Sequence, residues 1–479
     1  MAFEKNVVEG MRWFAAAKAF SQVFEFIVAT IALMNLLDPK DFGRLAMITV
    51  IIGFVLLLAK LGLMPALVQK KDLQPRHLTA VFWTHISLGL FFGTIVYLSA
   101  PLIAAFYNDP LLIPITQACS LLFIAEPLSR VQNAWLTREM EFRKISISDV
   151  ITTVVSNSVA LALALLDFGV WAIVVKLLLE YSVPVVVLWS MSSFRPTFDW
   201  DKEALKELLP YGVSITGFSL LEYFSRQFDD FLIGKFFGSS HLGHYARAYS
   251  FMMMPVKQIS LVIGRVMWPA MAKNQHDHEK LQAIYVDSNA AIAALSFPIL
   301  GFLFVSSDFL VVVLFGENWA AMVPMVKVFC VSGAVLSISK TVNWIYQATG
   351  HTRMMFLYGL ASTLVSALAI VIGIWWGSAL HVAECYTIAT LIIIVPAMWI
   401  PSRLISLDPR RIFSAIFAPA LLAIVAAFGA SQVVRLDLGR VGSLAAIGLI
   451  YVLIYIPLLM AFKPQGLVAL KAMFIHKRE

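Results

Sequence analysis

The sequence predicts an all-α, polytopic membrane protein of about fourteen transmembrane helices, built as two six-helix lobes plus two C-terminal helices. Three observations predict it. Of the 479 residues, 60% are hydrophobic and only 14% are charged, whereas soluble domains are nearer a quarter charged, and the mean hydropathy is +0.83. Apolar runs of about 20 residues, the length that crosses a bilayer as a helix, recur along the whole chain. The chain also repeats itself, at an offset that drifts only from 200 to 212 residues.

The first run, 11–36, is not a short apolar core followed by a small-residue cleavage site, so it is read as a retained span that directs insertion. Spans at 43–68, 80–106, 111–134, 145–166 and 169–191 complete an N-terminal lobe, 1–200. The longest connection, 192–206, leads into a C-terminal lobe, 201–402, with spans at 207–234, 242–271, 284–315, 321–347, 353–376 and 379–401. Runs at 412–433 and 441–462 lie outside the repeat and, with the tail, make up 403–479. Connections this short leave no room for a separate soluble domain. Pro65, Pro127, Pro255, Pro269, Pro298, Pro324 and Pro396 fall within spans. Each removes a backbone hydrogen bond and bends a helix, either as ordinary membrane packing or to let a central cavity open.

Lysine and arginine concentrate on the cytoplasmic side of membrane proteins. Here every second connection is basic: Lys70, Lys71 and Arg76; Arg138, Arg143 and Lys144; Arg195, Lys202 and Lys206; Lys273 and Lys280; Arg353; Arg403, Arg410 and Arg411. The tails add Lys5, Arg12, Lys463, Lys471, Lys477 and Arg478, against Lys40, Arg44, Lys235, Arg435 and Arg440 opposite, a bias of 21 to 5. Both termini are therefore expected in the cytoplasm, as an even number of spans requires. The net charge of +7 follows this distribution and is no signal for nucleic acid. Cys119, Cys330 and Cys385 lie far apart in apolar runs and read as buried hydrophobes, not as a disulfide or metal set.

The repeat aligns DFGRLAM (41–47) with HLGHYAR (241–247), placing Gly43 opposite Gly243; Pro114 with Pro324; Arg130 and Asn133 with Lys340 and Asn343; and Pro184 with Pro396. Each unit has six spans, so both begin on the same side and are related by a pseudo-twofold along the membrane normal.

Span 7 carries Glu222, Arg226, Asp229, Asp230 and Lys235 in EYFSRQFDDFLIGKFF (222–237). Lys235 is close to a span end and can snorkel to water. The other four cost roughly 12 kcal/mol on the insertion scale, and the large apolar residues of 211–237 return about 6. Such a helix must face protein or a water-filled cavity. Glu222, Arg226 and Asp230 recur every four residues on one face, with Asp229 three from Arg226. The ladder either holds helices together or lines a polar path; one arginine does not neutralise three carboxylates, which favours the path.

Other spans follow suit. Lys18, Gln22 and Glu25 share a face of span 1; Glu126 and Arg130 are four apart in span 4, as are Lys176 and Glu180 in span 6. Span 8 holds Arg247, Lys257 and Arg265, and span 10 holds Lys327 and Lys340; Arg130, Arg247 and Lys340 could instead snorkel to a membrane surface. A route lined by cations suits an anionic cargo such as a phosphate ester, which arginine grips through two parallel hydrogen bonds. Asp199-Trp200-Asp201 has the DxD form of metal-dependent glycosyltransferases, but Asp201 reads as the cap of the helix that follows. His276-Asp277-His278 reads as a solvated loop. The chain has no GxxxxGK for ATP hydrolysis and no Ser–His–Asp or HExxH arrangement, so neither a cofactor nor a metal is expected.

RQFDDFLIGKFFGSSHLGHYARAYSFMMMPVKQIS (226–260) resembles the hallmark region of Wzx-type, WzxC-like polysaccharide exporters of the multidrug/oligosaccharidyl-lipid/polysaccharide exporter superfamily. FRPTFDW (194–200) and DPKDFGRLAM (38–47) are similar to the same group, and the resemblance runs over essentially the whole chain. It implies a flippase that moves undecaprenyl-diphosphate-linked sugar repeat units across the inner membrane. Two lobes would alternate between inward-open and outward-open states around spans 1 and 7, driven by a proton or sodium gradient. By position, the family's Arg/Asp pattern falls on Arg226, Asp229 and Asp230.

The expectation is a secondary transporter, not an enzyme. Arg226, with Lys18, Lys257, Arg265 and Arg130, would bind the diphosphate or acidic sugars. Asp229, Asp230, Glu222 and Glu25 would take up protons or a cation, since carboxylates in a poorly solvated cavity titrate at raised pH. The expected partners are the lipid-linked glycan and membrane lipids, with glycan polymerase and export machinery as further candidates. A drug/cation antiporter of the same superfamily would want an acidic, aromatic cavity. A membrane glycan polymerase or ligase would want a large outer loop.

Overall fold

The computed structural model describes residue 13 and residues 16–432, 438–462 and 465–467. The tail cations Lys5, Arg12, Lys463, Lys471, Lys477 and Arg478, and Arg435, lie outside the described residues.

Every regular element among the described residues is a helix. In chain order these are α1 (Ala16–Leu36), α2 (Pro39–Lys60), α3 (Leu63–Gln69), α4 (Pro75–Tyr107), α5 (Leu112–Arg138), α6 (Phe142–Leu165) and α7 (Val170–Met191). They continue as α8 (Lys202–Lys273), α9 (His278–Phe315), α10 (Val323–Ala348), α11 (Thr352–Trp375), α12 (Ala379–Leu404), α13 (Pro409–Ser431) and α14 (Gly439–Phe462). Twelve of the described helices are long and apolar enough to cross a membrane. The 72-residue α8 adds two more arms, divided at Gly238, whose φ of 82° interrupts the helical backbone. Backbone groups in lipid have no water to bond, so helices that satisfy their own N–H and C=O groups are the natural spanning element. The chain is an all-α, multi-pass membrane protein.

Helix starts follow local chemistry. Asp201 accepts the N–H groups of Glu203 and Ala204 at 2.9 and 3.0 Å, so the DxD stretch is a helix cap. The Ala204 bond foremost, with Arg76 and the Glu203 N–H, holds the Asp201 carboxyl below the usual carboxylate range. Asp277, Ser378 and Asp408 cap α9, α12 and α13 in the same way. The start of α8 is also tied to earlier helices by ion pairs, Lys70 to Glu207 and Arg76 to Asp201.

Two apolar runs are less continuous than expected. The run 43–68 breaks after Lys60, where Leu61 and Gly62 both adopt left-handed backbone, and resumes as the short α3. The break is a packing requirement: a Cβ on Gly62 would lie 2.3 Å from the Gly212 carbonyl oxygen, and one on Gly212 would lie 2.3 Å from that of Leu61. The run 111–134 pauses between Cys119 and Leu122 inside α5. Pro65 and Pro324 fall in first turns, where a missing N–H costs little, and so bend no span; Pro127, Pro298 and Pro396 lie inside helices.

The chain forms two compact units, Met1–Gly243 and His244–Glu479. In the first, α6 packs along α7, and α5 packs on α4 and α7. A core of Leu63, Leu67, Val81, Phe82, Val131 and Leu208 binds α3, α4, α5 and the start of α8. In the second, α9 is central, against α10, α13 and α14, while α11 pairs with α12. Tyr285, Ala290 and Ala291 of α9 pack with Ile412 and Ala415 of α13. Cys119, Cys330 and Cys385 are buried and free.

The aligned glycines make a reciprocal contact within the first unit. A Cβ on Gly43 would lie 1.7 Å from the Ser239 carbonyl oxygen, and one on Gly243 would lie 1.9 Å from that of Pro39. At an offset of 200, residue 39 matches 239 and 43 matches 243, so the two approaches join the same pair of aligned segments. Gly43→Ala should cost about 1–3 kcal/mol, the range for overpacking, read as a lowered thermal midpoint of the solubilised protein. An unchanged midpoint would refute the close approach.

Candidate functional site

A cavity of about 370 Å³ lies within the first unit. Four membrane helices wall it, each contributing a polar stripe to otherwise apolar sequence. From α1 come Lys18, Ser21, Gln22 and Glu25, and from α5 come Ser129, Arg130 and Asn133. The spacing of four and three on α1 is the face read from sequence. From α6 come Asp149, Thr152 and Asn157, and from α7 come Glu180 and Tyr181.

The cavity's charges are mostly matched. Arg130 Nε donates to Glu126 Oε1 at 2.8 Å, and Lys60 Nζ lies 3.5 Å from the same oxygen. Glu126 itself is buried, its side chain 4% exposed. Lys176 pairs with Glu180, one turn on, and lies 3.9 Å from Glu25. Lys18 and Arg130 are the cations that bear electrostatically on Asp149. A charge-lined chamber walled by membrane helices is costly to keep unless something polar passes through it or binds in it.

A second charged locus is on the first arm of α8. Arg226 donates to Glu222 Oε1 at 2.6 Å, and both side chains are exposed, 70% and 48%. The backbone N–H of Asp230 donates to Asp229 Oδ1 at 3.0 Å, and the Asp230 carboxylate is within electrostatic reach of Tyr107 and Tyr223. Tyr223 anchors this arm to α2 by donating to the Val50 carbonyl at 2.6 Å. Lys235 donates to the Phe106 carbonyl and lies over that ring, so it is held by protein at the span end.

Of the nine residues expected from sequence, the structure gathers Lys18, Glu25 and Arg130 in one cavity. It pairs Glu222 with Arg226 and sets Asp229 beside Asp230 on α8. Lys257 and Arg265 are exposed in the second unit and make no ion pair among the described residues. Lys327, by contrast, is accounted for by an ion pair with Asp308 at 2.7 Å. Sequence reasoning passed over Asp149 and Lys60. Asp149 had a clear signal, being the sole charged residue of the run 145–166. Lys60 had a weaker one, because its partner Glu126 is 66 residues away.

The fold and the cavity define a multi-pass helical membrane protein with a polar internal chamber, and comparison with known proteins gives the family. A model described as polysaccharide biosynthesis protein matches residues 32–324, more than half of the chain. The teichuronic acid biosynthesis protein TuaB of Bacillus subtilis (strain 168) is 25% identical over 435 residues, 89% of each chain. The lipopolysaccharide biosynthesis protein WzxC of Escherichia coli (strain K12) is 26% identical over 399 residues, 82% of this chain and 80% of its own. Among solved structures, the lipid II flippase MurJ in an inward closed conformation aligns with a TM-score of 0.76 at 12% identity, covering 94% of this chain and 98% of that one. That likeness is one of fold. The chain belongs to the polysaccharide biosynthesis protein family.

Proposed function

We propose that this protein is a flippase for undecaprenyl-diphosphate-linked oligosaccharides, working by alternating access in the inner membrane of a bacterium with both termini in the cytoplasm. The observation that carries the reading is the cavity at Lys18, Glu25 and Arg130: a polar chamber inside an apolar bundle, of a size suited to a small polar headgroup. The names of TuaB and WzxC, both polysaccharide biosynthesis proteins, and the fold shared with MurJ support it.

In this reading Arg226, a fork able to bind two oxygens at once, attracts the diphosphate, and Lys257 and Arg265 are candidate anion-binding cations of the second unit. Asp229, Asp230, Glu222 and Glu25 take up the protons or sodium ions whose gradient drives the cycle. Glycan polymerase and export machinery receive the product. The test is deletion of the gene followed by analysis of lipid-linked intermediates and of the leaflet that holds them. The expected result is accumulation in the cytoplasmic leaflet, reversed by the wild-type gene. Unchanged surface glycan with no accumulation would remove the assignment.

A further inference from the structure

Three oxygen atoms in the cavity wall make no hydrogen bond among the described residues: Ser21 Oγ, Thr152 Oγ1 and Asn157 Oδ1. Their residues are 7%, 9% and 1% exposed, and all three line the same chamber. Buried polar groups in proteins are nearly always bonded, and an unbonded one destabilises the fold. These three come from two helices, α1 and α6, and sit among further neutral donors and acceptors, Gln22, Asn133 and Tyr181.

Resting on the flippase reading, we propose that this chamber is the subsite for the sugar rings of the cargo, and that it does not hold the diphosphate. The first reason is charge. The lining cations are Lys18 and Arg130, and the lining anions are Glu25, Asp149 and Glu180. Arg130 is already engaged by Glu126, and Lys176 by Glu180. A diphosphate needs an excess of cations, and this chamber has none to spare. The second reason is hydrogen-bond type. A hydroxyl and an amide oxygen that lack partners call for ligand groups that donate and accept at once, as sugar hydroxyls do. Water can fill those positions between cycles, and sugar hydroxyls replace it without loss of bonds. The third is size: about 370 Å³ lies at the small end of the roughly 300–1,000 Å³ of small-molecule sites, room for a short stretch of rings.

The test uses purified full-length protein and two probes: the lipid-linked glycan extracted from a strain lacking the transporter, and undecaprenyl diphosphate without sugar. The double variant Ser21→Ala, Thr152→Val removes two hydroxyls with little change of volume. Its affinity for the glycan-bearing lipid should fall about tenfold, while undecaprenyl diphosphate still binds within about twofold of wild type. Equal loss on both probes by a folded protein, or no loss on either, overturns the subsite. Should the double variant fold poorly, the Gln22→Cys variant decides. Glycan released from its lipid by mild acid should slow alkylation of that thiol, and undecaprenyl diphosphate should not; an unchanged rate with the glycan overturns the proposal. Loss of sodium binding in the hydroxyl variants with glycan binding intact would make the chamber a cation site instead. A deletion strain that accumulates no lipid-linked glycan overturns the flippase reading itself, and the subsite with it.

Discussion

Arg226→Ala is expected to abolish export of the glycan while leaving the amount of protein in the membrane unchanged. The separation of the two effects follows from where the residue lies. Among the described residues its ion-pair partner is Glu222, four residues back, on an exposed face. Exposed pairs of that spacing contribute about 0.3–0.5 kcal/mol, too little for their loss to unfold the protein. Replacing an arginine by alanine in a membrane helix also lowers the insertion cost, by roughly 3 kcal/mol. Stability and insertion thus give no reason for the variant to fail. Recognition does: alanine has neither the charge nor the planar fork that binds two phosphate oxygens. Arg226→Lys, which keeps charge and loses the fork, should export partially. Asp230→Asn should likewise abolish export with normal membrane levels. The measurement is surface glycan in complemented deletion strains, normalised to immunoblotted protein. Full export by both Arg226→Ala and Asp230→Asn would strip the α8 ladder of its role.

Glu126→Ala is the opposite kind of variant, one whose main loss is the fold. The Glu126 carboxylate lies between Arg130 at 2.8 Å and Lys60 at 3.5 Å, with its own side chain almost wholly buried. Removing it leaves two cations facing each other in a membrane bundle. Breaking one side of a buried ion pair costs about 3–5 kcal/mol, and the lower end applies here because Lys60 and Arg130 are each about a third or more exposed. The thermal midpoint of the solubilised protein should fall sharply, and yield should drop. Lys60→Met in the same chain should restore part of the midpoint, since it removes one of the two stranded charges. Equal stability of Glu126→Ala and wild type would show that water already screens the triad.

Much of this protein could be read locally. A membrane helix bonds its own backbone and meets lipid on its own, so about 20 apolar residues suffice to announce it. The two arms of α8 were legible for the same reason, despite their charges. The Glu222–Arg226 pair was legible because four residues bring side chains together on any helix. The match of Gly43 with Gly243 was legible as repetition, although its meaning, two backbones in contact, was not.

Local pattern failed wherever two distant segments met. Nothing near Leu61 and Gly62 announces that Gly212 will press against them and break the helix there. Nothing in LAKLGL (58–63) or FIAEPLSR (123–130) links Lys60 to Glu126. The cavity is the largest instance. Ser21, Arg130, Asp149 and Glu180 stand on four separate helices, and each residue is compatible with a lipid-facing snorkel, a buried pair or a binding wall. Which of these it becomes depends on how the four helices are rotated about their axes, and that rotation is set by close packing among residues far apart in the chain. Hydropathy registers how much of a helix is apolar; only the packed bundle fixes which side of it the polar remainder faces.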